Sequence, residues 1–145
     1  MTVSFDVDPG EVQRIVATAL AEDLGTPPRD VTSEATIPAE QTDTAELVAR
    51  APGVVAGLPV AAAVFAATSD GRTGFEQRVE DGTAVVRGDV LAVVTGPTRA
   101  LLTAERTALN LICRMSGIAT HTRRWADLLD GTTASGWRAA RCWRR

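Results

Sequence analysis

Two adjacent charges, Glu105 and Arg106, interrupt the apolar run LLTAERTALNLICRMSGIA at residues 101–119. Arginine is planar and permanently charged, and it can grip a carboxylate through two parallel hydrogen bonds. A carboxylate set among apolar side chains must be paired or protonated. The residues alone leave two readings open: a structural ion pair at a packing edge, or an arginine that receives an acidic ligand. The other reactive side chains offer less. His121 is the single histidine, with no metal pair or triad partner near it, and reads as a surface or packing residue. Cys113 and Cys142 form no CxxC pair, and Cys113, on the apolar side of a helix, reads as a core residue. All 15 basic residues are arginine. Chemistry that needs a lysine, such as a P-loop, a Schiff base or a lipoyl attachment site, is therefore excluded from this sequence. No catalytic residue and no metal ligand is assigned.

The element carrying Arg106 must be a helix. No glycine or proline occurs between Thr98 and Ser116, and Ala and Leu are frequent. At about 100° per residue, Leu101, Leu102, Ala104, Ala108, Leu109, Leu111, Ile112, Cys113 and Met115 fill an arc of roughly 200°. Thr103, Arg106, Thr107, Asn110 and Arg114 share the other face. Such an arc wants cover on two sides. Glu105 falls within it and is expected to be buried and paired, while Arg106 falls at its edge. Ser116-Gly117 is expected to end this helix, and a second runs from Ile118 to Gly131.

Upstream, Asp8-Pro9-Gly10-Glu11 reads as a helix start with a capping box, and Val12, Ile15, Val16, Ala19 and Leu20 repeat at helical spacing. Glu22 and Asp23 fall in the last turn, where the helix dipole disfavours acids; either a partner charge compensates them or water does. Residues 26–43 read as a loop with at most a short helical turn. Strands are expected over 44–50, 54–58, 75–79, 83–86 and 90–94, with a short helix from Pro59 to Ala67 and turns at Ala51-Pro52-Gly53, Asp81-Gly82 and Arg87-Gly88-Asp89. Gly57 permits close backbone approach. EDGTAVVRGDVLAVV is similar to half of a biotinyl-carrier sandwich, but with no lysine to modify it reads as a compact β-turn-β unit. The fold class expected is α+β: helices on one face of a four-stranded, mainly antiparallel sheet, followed by two helices.

The pieces AEDLG, DVTSEATIPAE, GVVAGLPVA, RVEDGTAVVRGDVLAVVTGPTRA and LLTAERTALNLICRMSGIAT resemble, in this order and spacing, the N-terminal domain of quinolinate phosphoribosyltransferase, the carboxylating nicotinate-nucleotide pyrophosphorylase. The resemblance covers about residues 11–132. It implies a hammerhead-like dimerisation and substrate-contact domain. The whole enzyme of that family makes nicotinate mononucleotide, pyrophosphate and CO₂ from quinolinate and phosphoribosyl pyrophosphate in NAD biosynthesis, with Mg²⁺. Arg106 matches the arginine of the family's Thr-Ala-Glu-Arg-Thr motif. The resemblance implies that it reaches across a homodimer to quinolinate in the neighbouring subunit. The rival readings are a related phosphoribosyltransferase, acting on nicotinate or a molybdenum-linked substrate, and a non-enzymatic interaction module.

The family continues past this point with a strand bearing Asp-Thr-Arg-Lys-Thr and an α/β barrel. Here the sequence reads TTASGWRAARCWRR. The domain division expected is 1–131 for the α+β unit and 132–145 for a basic tail in place of the barrel, arising from a frameshift near 133–136 or as a family variant. Without the barrel, no transferase activity is expected of the chain alone. Residues 1–130 hold 18 acids against 11 arginines, while 131–145 hold four arginines and no acid. An acidic body argues against nucleic-acid binding. Apolar content is ordinary for a globular protein, and no run approaches the ~20 apolar residues of a membrane span. An N-terminus without a basic-then-apolar leader leads to the expectation of a cytoplasmic protein that does not engage a membrane.

Overall fold

The structure is a computed structural model that describes residues 7–25 and 29–130. The elements run α1 (Pro9–Leu24), α2 (Val31–Thr36), β1 (Thr42–Val48), β2 (Gly53–Val54), α3 (Leu58–Thr68), β3 (Gly74–Gln77), β4 (Ala84–Val85), β5 (Val90–Pro97) and α4 (Thr98–Leu129). The α+β class is as expected. The expected tail at 132–145 lies outside the described residues, as does the end of the last helix at Gly131.

Local chemistry sets the helix starts. Asp8 caps α1 by accepting the Gly10 N–H at 3.2 Å, and Pro9 supplies a preset φ at the first position. Glu11 does not complete a capping box; it pairs instead with Arg14 at 2.8 Å. Asp30 caps α2 by accepting the Ser33 N–H. Asp81 caps α3 from a distant loop, accepting the Gly57 and Leu58 N–H groups at 2.7 and 3.0 Å. Gly57 sits at φ +97°, and a Cβ there would collide with the Met115 methyl of α4. The expected close approach is therefore real.

The strands divide differently from the expectation of one four-stranded sheet. β5 lies between β1 and β3, antiparallel to both, and β2 pairs only with β4. Turns bracket the second pair so tightly that it spans two residues per strand, Gly53 opposite Val85 and Val54 opposite Ala84.

The second correction concerns α4, which is one helix of 32 residues and not two. Ser116-Gly117 does not break it. The Ser116 hydroxyl accepts the Ala56 N–H at 3.0 Å, and one turn later the Thr120 hydroxyl accepts the Val54 N–H at 2.8 Å. These contacts dock the helix along the open backbone of the β2 segment and offset the roughly 1 kcal/mol cost of a mid-helix glycine.

The core lies where α3 and α4 cover the sheet. Leu58, Val64, Ala61, Ala92, Val94, Ala104 and Ala108 are almost wholly buried, joined by Val55, Phe65, Leu101 and Ile112. Ala104 and Ala108 let the backbone of α4 approach closely. Among the described residues, no helix is long and apolar enough to cross a membrane.

Candidate functional site

The buried stripe of α4 is narrower than its apolar arc. Leu101, Ala104, Thr107, Ala108 and Ile112 are buried, whereas Leu102 and Leu109 remain 43% and 37% exposed. Glu105 lies on this uncovered flank and is exposed, which corrects the expectation of a buried, paired carboxylate. Cys113 is likewise exposed and not part of the core. With Leu47 and Val48 of β1, these side chains line an open groove of about 900 Å³. Small residues draw the helix down along one line, and among the described residues the flank beside that line is left open.

The face that the wheel marks as polar is covered instead at Thr103 and Thr107. Arg99, Thr103 and Thr107, at four-residue spacing, each reach the α1–α2 segment. Arg99 donates to the carbonyls of Ile37 and Glu34 at 2.8 and 3.0 Å. Thr103 donates to Asp30 at 3.0 Å, and Thr107 to Asp23 at 3.1 Å. Asp30 also accepts the Ser33 hydroxyl and N–H. The Ser33 hydroxyl bond, then its backbone N–H, hold the Asp30 carboxyl below the usual carboxylate range, with Thr103 adding to them and burial opposing.

Arg106 stands at the margin of this contact. Its side chain is 80% exposed, and Nε lies 3.3 Å from Asp23 Oδ1. No described residue bonds its two terminal NH₂ groups. The guanidinium is thus presented from a helix held by the buried Ala104, Thr107 and Ala108, and its outer fork is available to an acidic ligand. An exposed pair of this kind contributes little to stability. Asp23 and Asp30 were not legible as site neighbours from sequence. The available signal was the Arg99, Thr103, Thr107 ladder, which is polar at helical spacing and needs acceptors opposite.

His121 is a surface residue as expected, accepting the Trp125 indole N–H at 2.9 Å. No group of three or more His, Cys, Asp or Glu side chains that could hold a metal occurs among the described residues.

Residues 30–116 match the family model described as quinolinate phosphoribosyl transferase, N-terminal domain. The chain belongs to that family. The matched segment runs from the cap of α2 to Ser116, so it includes the sheet, Asp30, Thr103, Arg106 and Thr107. The nicotinate-nucleotide pyrophosphorylase [carboxylating] of Mycobacterium leprae is 48% identical over 107 residues, covering 72% of this chain and 37% of that protein. A probable nicotinate-nucleotide pyrophosphorylase of Bacillus subtilis is 37% identical over 120 residues, covering 83% of this chain and 40% of that protein. The crystal structure of NadC from Streptococcus pyogenes superposes with a TM-score of 0.82 at 31% identity, covering 89% of this chain and 45% of that one. The chain spans less than half the length of each of these relatives.

Proposed function

We propose that this chain is the N-terminal, substrate-contacting part of a quinolinate phosphoribosyltransferase, and that Arg106 is its contribution to the site. The reaction joins quinolinate to the ribosyl group of phosphoribosyl pyrophosphate, releasing pyrophosphate and CO₂ and leaving nicotinate mononucleotide. The observation that carries the reading is the placement of Arg106. It lies in the Thr103-Ala104-Glu105-Arg106-Thr107 motif, on a helix anchored on both sides, yet keeps its guanidinium 80% exposed. Quinolinate carries two carboxylates, and a rigidly mounted arginine fork suits one of them. Fixing that group orients the pyridine ring against the ribosyl carbon and stabilises a dicarboxylate that electrostatic repulsion would otherwise disfavour in a closed pocket.

The uncovered flank of α4 supports a second element of the reading, a homodimer across which Arg106 reaches the partner's site. An apolar groove bordered by Leu102 and Leu109 is costly to leave in water. Mg²⁺, which in this family holds the pyrophosphate leaving group, finds no ligand cluster among the described residues.

The test is a hybrid enzyme in which this chain replaces the matching segment of the Mycobacterium leprae relative. Formation of nicotinate mononucleotide from quinolinate and phosphoribosyl pyrophosphate is expected. Arg106→Ala in the hybrid is expected to weaken quinolinate binding by roughly 2–5 kcal/mol, the usual cost of removing one partner of a desolvated charge pair. A folded hybrid whose quinolinate kinetics ignore Arg106→Ala would remove this residue from the site.

A further inference from the structure

Asp23 sits at a position that its own helix disfavours. The last turn of α1 carries the negative end of the helix dipole and has no basic residue to offset an acid. Its side chain is nevertheless only 21% exposed, and both oxygens are engaged. Oδ2 accepts the Thr107 hydroxyl at 3.1 Å and Oδ1 faces Arg106 Nε at 3.3 Å. Thr107 is itself 3% exposed, a buried hydroxyl whose side-chain partner is this carboxylate.

We propose that Asp23 is the positioning residue of Arg106, held in place by Thr107, so that the guanidinium is oriented before an acidic ligand arrives. This rests on the functional reading above. A long arginine on a helix surface samples many rotamers, and fixing it on binding costs entropy. A carboxylate that engages Nε alone removes much of that freedom and leaves the terminal NH₂ pair for a ligand carboxylate, approached end-on. Thr107 keeps Asp23 from rotating towards those terminal groups, where it would compete with the ligand. Neighbouring positions of α4 thus divide the work: Arg106 presents the charge, and the buried hydroxyl beside it fixes the acid that aims it.

Two measurements test the proposal. In the ¹⁵N-labelled full chain, the Arg106 Nε–H resonance is expected to move in Asp23→Ala and in Thr107→Val. An unmoved resonance in Asp23→Ala overturns the contact. In the hybrid enzyme, Asp23→Ala is expected to raise KM for quinolinate about threefold, the scale of a largely exposed charge pair. KM for phosphoribosyl pyrophosphate and kcat are expected to stay near wild type. Thr107→Val is expected to raise the quinolinate KM less, and Asp23→Asn, which keeps an acceptor oxygen, to recover part of it. In the Arg106→Ala background, Asp23→Ala is expected to add nothing. A quinolinate KM that rises in Arg106→Ala but not in Asp23→Ala or Asp23→Asn overturns the positioning role and leaves the functional reading intact. A quinolinate KM unmoved by Arg106→Ala overturns that reading and this inference with it. Should Asp23→Ala fail to fold, Asp23→Asn and Thr107→Val carry the same comparison.

Discussion

Thr103 Oγ1 lies 3.0 Å from Asp30 Oδ2, tying the middle of α4 to the cap of α2, 73 positions upstream. Asp30 is thus a junction: it starts one helix and anchors another.

That junction makes stability depend on acid. The bonds from Ser33, then the one from Thr103, hold the Asp30 carboxyl below its usual 3.8. A carboxyl with a depressed folded-state pKa binds fewer protons when folded than when unfolded, so stability rises with pH in that window. The contribution is fully present above about pH 4 and is lost as pH falls through the folded-state value. Thermal unfolding of Asp30→Asn is expected to show a shallower acid limb than wild type. Superimposable limbs would count against the assignment. Some acid dependence is expected to persist in the variant, because the Thr98 hydroxyl, then Gln41, depress the Asp43 carboxyl in the same direction.

Glu105→Ala is expected to change stability by no more than ~0.5 kcal/mol in urea unfolding, as for an exposed residue without a special contact. A loss of ~3 kcal/mol or more would require a buried charge partner for it.

Gly117 lies inside α4, and apart from its chain neighbours and the backbone of its own helix nothing comes within 4 Å of where a Cβ would sit. Gly117→Ala is expected to stabilise by about 0.5–1 kcal/mol, since alanine costs less backbone entropy in a helix. Ser116→Ala, one position earlier, is expected to cost about 1 kcal/mol by leaving the Ala56 backbone without its partner. Opposite signs at adjacent positions are the signature of a helix that runs through; a destabilising Gly117→Ala would argue for a break.

Sedimentation at tens of micromolar, roughly the range in which exposed apolar surface drives association, is expected to show dimers or larger species. Leu109→Glu is expected to shift them towards monomer while leaving the far-ultraviolet circular dichroism unchanged. A wild-type monomer at that concentration would leave the groove without a self-association role.

Much of this fold was legible because its punctuation is local. Asp8-Pro9, Pro59, Asp81-Gly82 and Arg87-Gly88-Asp89 each dictate a start or a turn from within a few residues. What was not legible depends on partners far along the chain. Ser116-Gly117 looks like a stop until the β2 backbone is placed beside it. Glu105 and Cys113 looked buried because a helical wheel gives an angle and not the width of what covers it. Arg106 stood out by its charge and motif, but Asp23 could not be matched to it. Its partner Thr107 lies 84 positions away, and surface acids in the last turn of a helix are more often solvated than paired.

At about 1.5 Å per residue, the 32 residues of α4 extend close to 50 Å. Its first two-thirds carry the buried residues Leu101, Ala104, Thr107, Ala108 and Ile112, whereas residues 121–130 are all exposed. One continuous rod therefore keeps two clocks. Amide hydrogens around Arg106 are expected to exchange with solvent only when the core opens, whereas those in the exposed turns beyond His121 are expected to exchange faster, through local opening of the helix. The arginine is mounted on the slow segment, so its address on the surface persists while the far end of the same helix opens and closes many times.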